Sequence, residues 1–368
     1  MTLADDEVVR RWRVPGPVIS GARDSIFAVS FDSTGTKLGV GPGSDDNTLS
    51  VWNVADRLSP SLGTMILNDS PAGKFSGSGT LTPDARTFIV GCTDGTVQIW
   101  DIENPSHPRL LGAPVAASTG QELVEAVNLS RDGRLLAVSA DDESVSLFAL
   151  TDARSLRPIS RISQPGAIKF YQTAFSPDGQ MLSGAAEDGH VYVWDIHDTA
   201  HPLLLSTLGG FTAAAYSVGF SPQGNVLAAG SADNTVRLWG MADPLRPVVL
   251  GRPVTGPVGY IYSLAFDPAG ATLATGSTDN TVWLWDVRYP EKPLRLATLT
   301  GPTQGVLSVA FAPDGRTLAA GGHDRMVRLW VTDPEWMAHW VCETAGAPIT
   351  DGEWDKYVPG RPFSPPCR

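Results

Sequence analysis

Apolar and polar positions in this chain are organised in short runs rather than long periodic stretches. Val236-Arg-Leu-Trp239 alternates with a period of two, the pattern of a strand whose two faces meet different surroundings. It follows an apolar run, Asn225-Val-Leu-Ala-Ala, and an Asp-Asn turn divides the two. Upstream, Val-Gly-Phe220 and Ser-Leu-Ala-Phe266 each run into a turn of the Pro-Asp-Gly type, where Pro presets φ and Gly permits the reversal. A fourth kind of run is Arg- and Leu-rich, as in Arg109-Leu-Leu-Gly and Arg295-Leu-Ala-Thr-Leu. No amphipathic helix is expected before residue 333. The pattern predicts a unit of about four strands.

The unit recurs. SADNTVRLWG (231–240) and STDNTVWLWD (277–286) are two copies of one phrase. Their closing aromatic returns as Trp52, Trp100, Phe148, Trp194, Trp239, Trp285 and Trp330, at intervals of 48, 48, 46, 45, 46 and 45 residues. Six residues before each stands an aspartate: Asp46, Asp94, Asp142, Asp188, Asp233, Asp279 and Asp324. An apolar residue followed by a turn marks each unit further upstream, at Phe31, Leu81, Leu129, Phe175, Phe220, Phe266 and Phe311. That marker lies 19 residues before the aromatic from the second unit onward and 21 in the first, where GPGSDD lengthens a loop. Periods of this length signify a repeat architecture.

With the period, the Trp-Asp pairs Trp100-Asp101, Trp194-Asp195 and Trp285-Asp286, and the upstream aspartate, the chain resembles the WD40-repeat family over about residues 8 to 332. The resemblance implies an all-β, seven-bladed WD40 β-propeller of four-stranded antiparallel blades, each stacking on its neighbours because it buries too little alone. The family's Gly-His pair before the first strand is absent, so the seven aspartates are expected to brace turns. Aligning RPVVLGRPVTG (246–256) with RWRVPGPVISG (11–21) places Gly251 over Gly16. Residues 8–20 are therefore expected to close the ring as the outer strand of blade seven, within a propeller of residues 1–332. Closure of this kind removes open sheet edges.

A C-terminal extension, 333–368, differs in kind. Asp333-Pro-Glu335 is a helix start with Trp336 and Trp340 on one face, and Thr350-Asp-Gly-Glu353 opens a second short helix with Trp354 and Tyr357. We expect this short helical and extended segment to pack on the propeller. The tail pattern is similar to the C-terminal end of actinobacterial signalling proteins in which propellers follow an NTPase-type domain, so the chain is expected to be part of a larger bacterial regulatory protein. Cys342 and Cys367 both lie in the tail and form a candidate disulfide, which an oxidising compartment would favour. Cys92 reads as core filling.

Composition changes the picture mainly by exclusion. The 368 residues carry a formal charge of −12 without a basic run, which argues against nucleic acid or an anionic membrane as partner. There is no apolar stretch of 18 residues, and the acidic start MTLADDEVVR is unlike a leader. A soluble monomer is expected, on either the cytoplasmic or the extracytoplasmic side of a membrane-anchored parent. Thirty-eight glycines and 29 prolines suit a turn-rich ring. The six histidines form no HExxH, no GxSxG elbow or GxxxxGK loop occurs, and no Cys/His cluster suggests zinc. No cofactor, metal or catalytic residue is expected.

The remaining candidate is a binding face. In the family, partners commonly meet the top face at the start of each inner strand, two residues earlier, and just before the turn aspartate. Counting from the marker, the inner-strand position falls on Phe27, Gly77, Glu125, Tyr171, Tyr216, Tyr262 and Leu307. From the three sets we select Phe27, Asp45, Phe75, Asp141, Lys169, Tyr171, Glu187, Tyr216, Tyr260, Tyr262 and His323 as candidate partner-binding residues. Aromatics beside carboxylates suit a peptide or protein loop bearing Lys or Arg. The expectation is a non-catalytic scaffold or sensor module; the alternative is a small-ligand-sensing or hydrolytic propeller using the central channel.

Overall fold

The computed structural model describes residues 16–43, 46–68, 73–151, 154–164 and 168–333. Every element among them is a strand. Blade one comprises β2 (Ile26–Phe31), β3 (Lys37–Pro42), β4 (Thr48–Asn53) and β5 (Ser61–Leu67), paired in that order. Blade two follows with β6 (Phe75–Leu81), β7 (Thr87–Cys92), β8 (Thr96–Asp101) and an outer strand broken into β9 (Arg109–Leu110) and β10 (Val115–Ala116). Blade three is β11 (Val124–Leu129) to β14 (Ser155–Ser163), and blade four β15 (Phe170–Phe175) to β18 (Leu203–Leu208). Blades five and six run from β19 (Ala215–Phe220) to β22 (Val248–Val249) and from β23 (Ile261–Phe266) to β26 (Leu294–Leu299). Blade seven joins β27 (Val306–Phe311), β28 (Thr317–Gly322) and β29 (Val327–Val331) to β1 (Val18–Ile19).

The apolar pattern maps directly onto this order. Second strands are near-continuous apolar runs because both faces are covered; β20 (Val226–Ser231) and β28 are buried at every residue. Outer strands read Leu- and Arg-rich because most of their side chains meet water, as in β18 and β26. Seven apolar clusters form, and each joins adjacent blades. One unites Leu49, Val51 and Ile66 of blade one with Phe75, Phe88 and Trp100 of blade two. Each blade thus buries its apolar residues against its neighbours rather than in a core of its own.

Closure follows the register read from the sequence. Ile19 pairs with Val327 and Val18 with Arg328, and the Leu329 N–H donates to the Pro17 carbonyl at 3.2 Å. The alignment of Gly16 with Gly251 carries Ile19 onto Val254, which bridges the equivalent third-strand residue Val236. Both Ile19 and Val254 are buried. A side chain at Gly16 would place its Cβ 1.5 Å from the Leu329 carbonyl oxygen.

The inner strands of neighbouring blades exchange no ladder, and side chains bind them instead. The position three before the marker accepts the N–H two before the marker of the next blade: Ser308 from Val29, Ser78 from Val127, Gln172 from Val218 and Ser263 from Val309, at 2.8–3.1 Å. Blades one and three carry Ala28 and Ala126 there and use the residue before the marker. Ser30 Oγ accepts from the Leu81 N–H at 3.1 Å, and Asn128 Nδ2 donates to Thr173 Oγ1 at 3.1 Å. At the remaining junction Ser217 Oγ donates to the Ile261 carbonyl. All seven junctions are thereby spanned.

The repeated aspartates do brace turns. Their Oδ2 atoms accept main-chain N–H groups from the loops entering the first strands: Asp94 from Gly73, Asp142 from Thr119, Asp233 from Thr212, Asp279 from Val258 and Asp324 from Thr303, at 2.7–3.0 Å. In blade four Asp188 takes the Tyr192 hydroxyl at 2.7 Å. Cys92 is a buried free thiol, as its core reading requires. The expected tail helices, the Cys342–Cys367 pair and residues 8–15 of segment 8–20 lie outside the described residues.

Candidate functional site

The face that carries the candidate residues is made by a backbone irregularity present in every inner strand. In blade one Ile26 pairs with Pro42 and Ala28 with Gly41, leaving Phe27 unpaired as a β-bulge. The same shift skips Glu125, Tyr171, Tyr216, Tyr262 and Leu307. A bulged residue is freed from strict in–out alternation. Here Phe27, Glu125, Tyr171, Tyr216, Tyr262 and Leu307 all line one end of the central channel, a cavity of about 560 Å³.

On the blade four to six side the tyrosines are in mutual contact. Tyr216 lies 4.6 Å from Tyr171, 5.2 Å from Tyr262 in a stacked arrangement and 6.1 Å from Tyr260, centroid to centroid. Tyr260 remains 49% exposed, and Tyr171, Tyr216 and Tyr262 are half-buried. Burial pushes the Tyr262 hydroxyl up to about 12, helped by the charge of Glu125. Burial also raises Tyr171, with Glu187 adding to it, and Tyr216, with Tyr260 adding to it. These three phenols are therefore neutral hydrogen-bond donors at physiological pH.

Lys169 borders the same cluster. Its Nζ lies 2.6 Å from Glu125 Oε1 and 2.6 Å from Asp141 Oδ1, and 5.1 Å from the Tyr171 ring centroid. Burial works against the Lys169 charge, but the two carboxylates outweigh it and raise its pKa. Glu125 is raised as well, by burial and by repulsion from Asp141. Two carboxylates share one ammonium. Glu187 is exposed nearby, its N–H held by the Lys169 carbonyl at 3.0 Å.

A second group forms where blade seven meets blade one. Ser25 Oγ lies 2.9 Å from His323 Nδ1, and the His323 ring meets the edge of Phe27 at 6.3 Å. The structure therefore brings Asp141, Lys169, Tyr171, Glu187, Tyr216, Tyr260 and Tyr262 together and sets Phe27 with His323 apart from them. Asp45 lies outside the described residues.

Phe75 does not belong to this face. It is fully buried, pairs with Cys92 and packs edge-on against Trp100 at 6.2 Å. Its structural equivalents are Ile26, Val124, Phe170, Ala215, Ile261 and Val306, all core residues. The bulge of blade two holds one residue more than the others, so a fixed count from the marker lands one position too deep. Gly77 in that bulge has φ +90°, and a Cβ there would stand 3.0 Å from the Phe27 ring. Glu125 is the converse case. The positional count reaches it, but its partner Lys169 belongs to the next blade, and sequence spacing gives no sign of the pairing.

No group of three or more His, Cys, Asp or Glu able to hold a metal exists among the described residues. Against known proteins, the WD domain, G-beta repeat family matches at residues 14–53, 74–101, 165–195, 203–240, 251–286 and 294–331. The gap between the second and third matches coincides with blade three, where Phe148 replaces the tryptophan and Arg131 the turn proline. That blade nevertheless forms four paired strands. The Drosophila melanogaster Protein LST8 homolog is 29% identical over 123 residues, 32% of this chain and 37% of that protein. With six matched segments covering more than half of its length and seven paired blades in a ring, the chain belongs to the WD40-repeat family.

Proposed function

We propose that this propeller is a non-catalytic interaction module that receives a peptide or protein loop at the channel mouth of blades four to six. The observation that carries the reading is the contact cluster of Tyr171, Tyr216, Tyr260 and Tyr262. Three consecutive blades supply aromatic rings that stay partly open to water. Tyrosine suits an interface because its large rigid ring carries a polar tip and loses little rotamer freedom on binding. The carboxylates at the rim favour a partner with Lys or Arg. The tail pattern supports membership of a larger bacterial regulatory protein.

The test is retention of a partner by the purified chain from source-cell lysate, beside a Tyr216→Ala/Tyr260→Ala/Tyr262→Ala variant of equal melting temperature. A protein held by the first and lost by the second supports the reading. Equal retention moves the site elsewhere on the molecule and overturns it.

A further inference from the structure

The carboxylate pair Glu125 and Asp141 is already filled by a cation, and that cation is a side chain of the neighbouring blade. The Lys169 main chain is fixed in blade four, where its carbonyl accepts the Glu187 N–H. Its side chain crosses to blade three and places one ammonium 2.6 Å from each carboxylate and over the face of Tyr171. Side-chain exposures of 24% for Lys169, 19% for Glu125 and 33% for Asp141 put the contact at the rim rather than in the core. Release of the ammonium thus requires only rotation about side-chain bonds, with no strand to move. The arrangement is what a bound lysine of a partner would look like: an ammonium held by two carboxylate acceptors beside an aromatic face.

We propose that Lys169 is an internal stand-in for a cationic side chain of the partner, and that the Glu125–Asp141–Tyr171 site accepts a Lys or Arg of that partner once Lys169 swings out. The inference rests on the interaction reading above and adds to it the chemistry received and the device that limits access. Glu125 and Asp141 together carry two negative charges against one positive, so the site cannot be left without a cation at low cost. An entering guanidinium satisfies the pair as Lys169 does, while the released ammonium is hydrated at the rim. The exchange therefore costs little, but the resident cation competes at every moment. Apparent affinity falls by the fraction of molecules in which the site is open. A single basic side chain therefore competes only at high concentration, and a partner held by further contacts, such as the tyrosine cluster, displaces Lys169 more readily.

The probe is acetyl-Gly-Arg-Gly-amide, with acetyl-norleucine in place of arginine as control, titrated by calorimetry into the whole chain. Lys169→Met removes the competing charge and keeps the stem; we expect it to bind the arginine peptide at least about 10-fold more tightly than the wild type, and Lys169→Met/Glu125→Gln to lose that gain. No gain in Lys169→Met at unchanged melting temperature overturns the proposal. Should that variant fold poorly, the wild type gives the answer by NMR: the ammonium resonance of Lys169 should lose its ion-paired shift as a saturating arginine peptide is added. Binding that leaves the resonance in place refutes displacement. The tyrosine triple variant separates the two readings, because loss of the lysate partner there with no effect at Lys169 leaves the interaction module standing and removes only the cation exchange.

Discussion

Ring closure by β1 makes a prediction sharp enough to be tested with two adjacent residues. Ile19 is 4% exposed, within a cluster that includes Ile26, Val29, Leu38, Val327 and Leu329, whereas Val18 is 45% exposed on the opposite face of the same strand. Truncating a buried isoleucine to alanine costs about 2–5 kcal/mol through lost transfer energy and the cavity left behind. Truncating an exposed valine stays within about 0.5 kcal/mol. An unfolding entropy of about 2.1 cal/mol/K per residue over roughly 320 residues means that each kcal/mol moves the midpoint by roughly 1.5 °C. Ile19→Ala should therefore lower Tm by roughly 3–7 °C and Val18→Ala by less than about 1 °C. Deleting residues 1–20 should exceed both, because it also strips the Leu329 N–H of its acceptor at Pro17 and bares the edge of β29. The assay is differential scanning calorimetry of the three variants at one scan rate. Equal melting of Ile19→Ala and Val18→Ala would refute the register, and an unchanged Tm for the deletion would refute closure itself.

Other consequences are as direct. Ser263→Ala removes the acceptor of the Val309 N–H, in a pair that is buried on both sides, and should cost about 1–3 kcal/mol by thermal melting; an unchanged midpoint would mean that channel water replaces the hydroxyl. Phe75→Ala should destabilise by about 3–5 kcal/mol, the cost of an emptied core site, with partner retention at the channel mouth unaffected in the folded fraction. Burial raises the Asp142 carboxyl, but Ser144, the Thr119 N–H and Arg161 outweigh burial and hold it below the usual range. The folded pKa is depressed, so its stabilisation is complete above an ordinary value of about 3.9 and is lost as pH falls below that toward the folded value. Asp142→Asn should flatten the fall of Tm below about pH 4 relative to the wild type, and an identical acid limb would show that Asp142 contributes no such linkage.

The repeat frame was legible because its determinants are local. A marker residue, a turn and a buried aromatic each answer to a few neighbours, and even the exchanged strand could be placed, since Ile19 repeats the role of Val254 at the same register. Blade three was legible from its aspartate and spacing alone, although Phe148 and Arg131 depart from the pattern. What escaped the sequence is of two kinds. An inserted residue in the blade-two bulge shifted the count onto Phe75, and nothing in its composition distinguishes a rim phenylalanine from a core one. Contacts between blades, such as Lys169 with Glu125 and Asp141, join residues 44 and 28 positions apart whose side chains meet only because the ring is curved.

The bulge links the two sets of residues, the shared and the unshared. On either side of it every inner strand is bound to its blade by the antiparallel ladder, and its side chains are assigned alternately to the core and the channel. Position-by-position freedom is small there, which is why Phe170, Ala215 and Ile261 are all buried whatever their size. The bulged residue has no cross-strand partner to match and no core volume to fill. It can become Phe27, Glu125, Tyr171, Tyr216, Tyr262 or Leu307 without altering the register of any blade. Because the ring sets all of these positions around one opening, changes that are independent in sequence accumulate into a single surface. A fold built from near-identical units thereby acquires a face that is different at each blade, and the aromatic sector of blades four to six is where that freedom has been used most heavily.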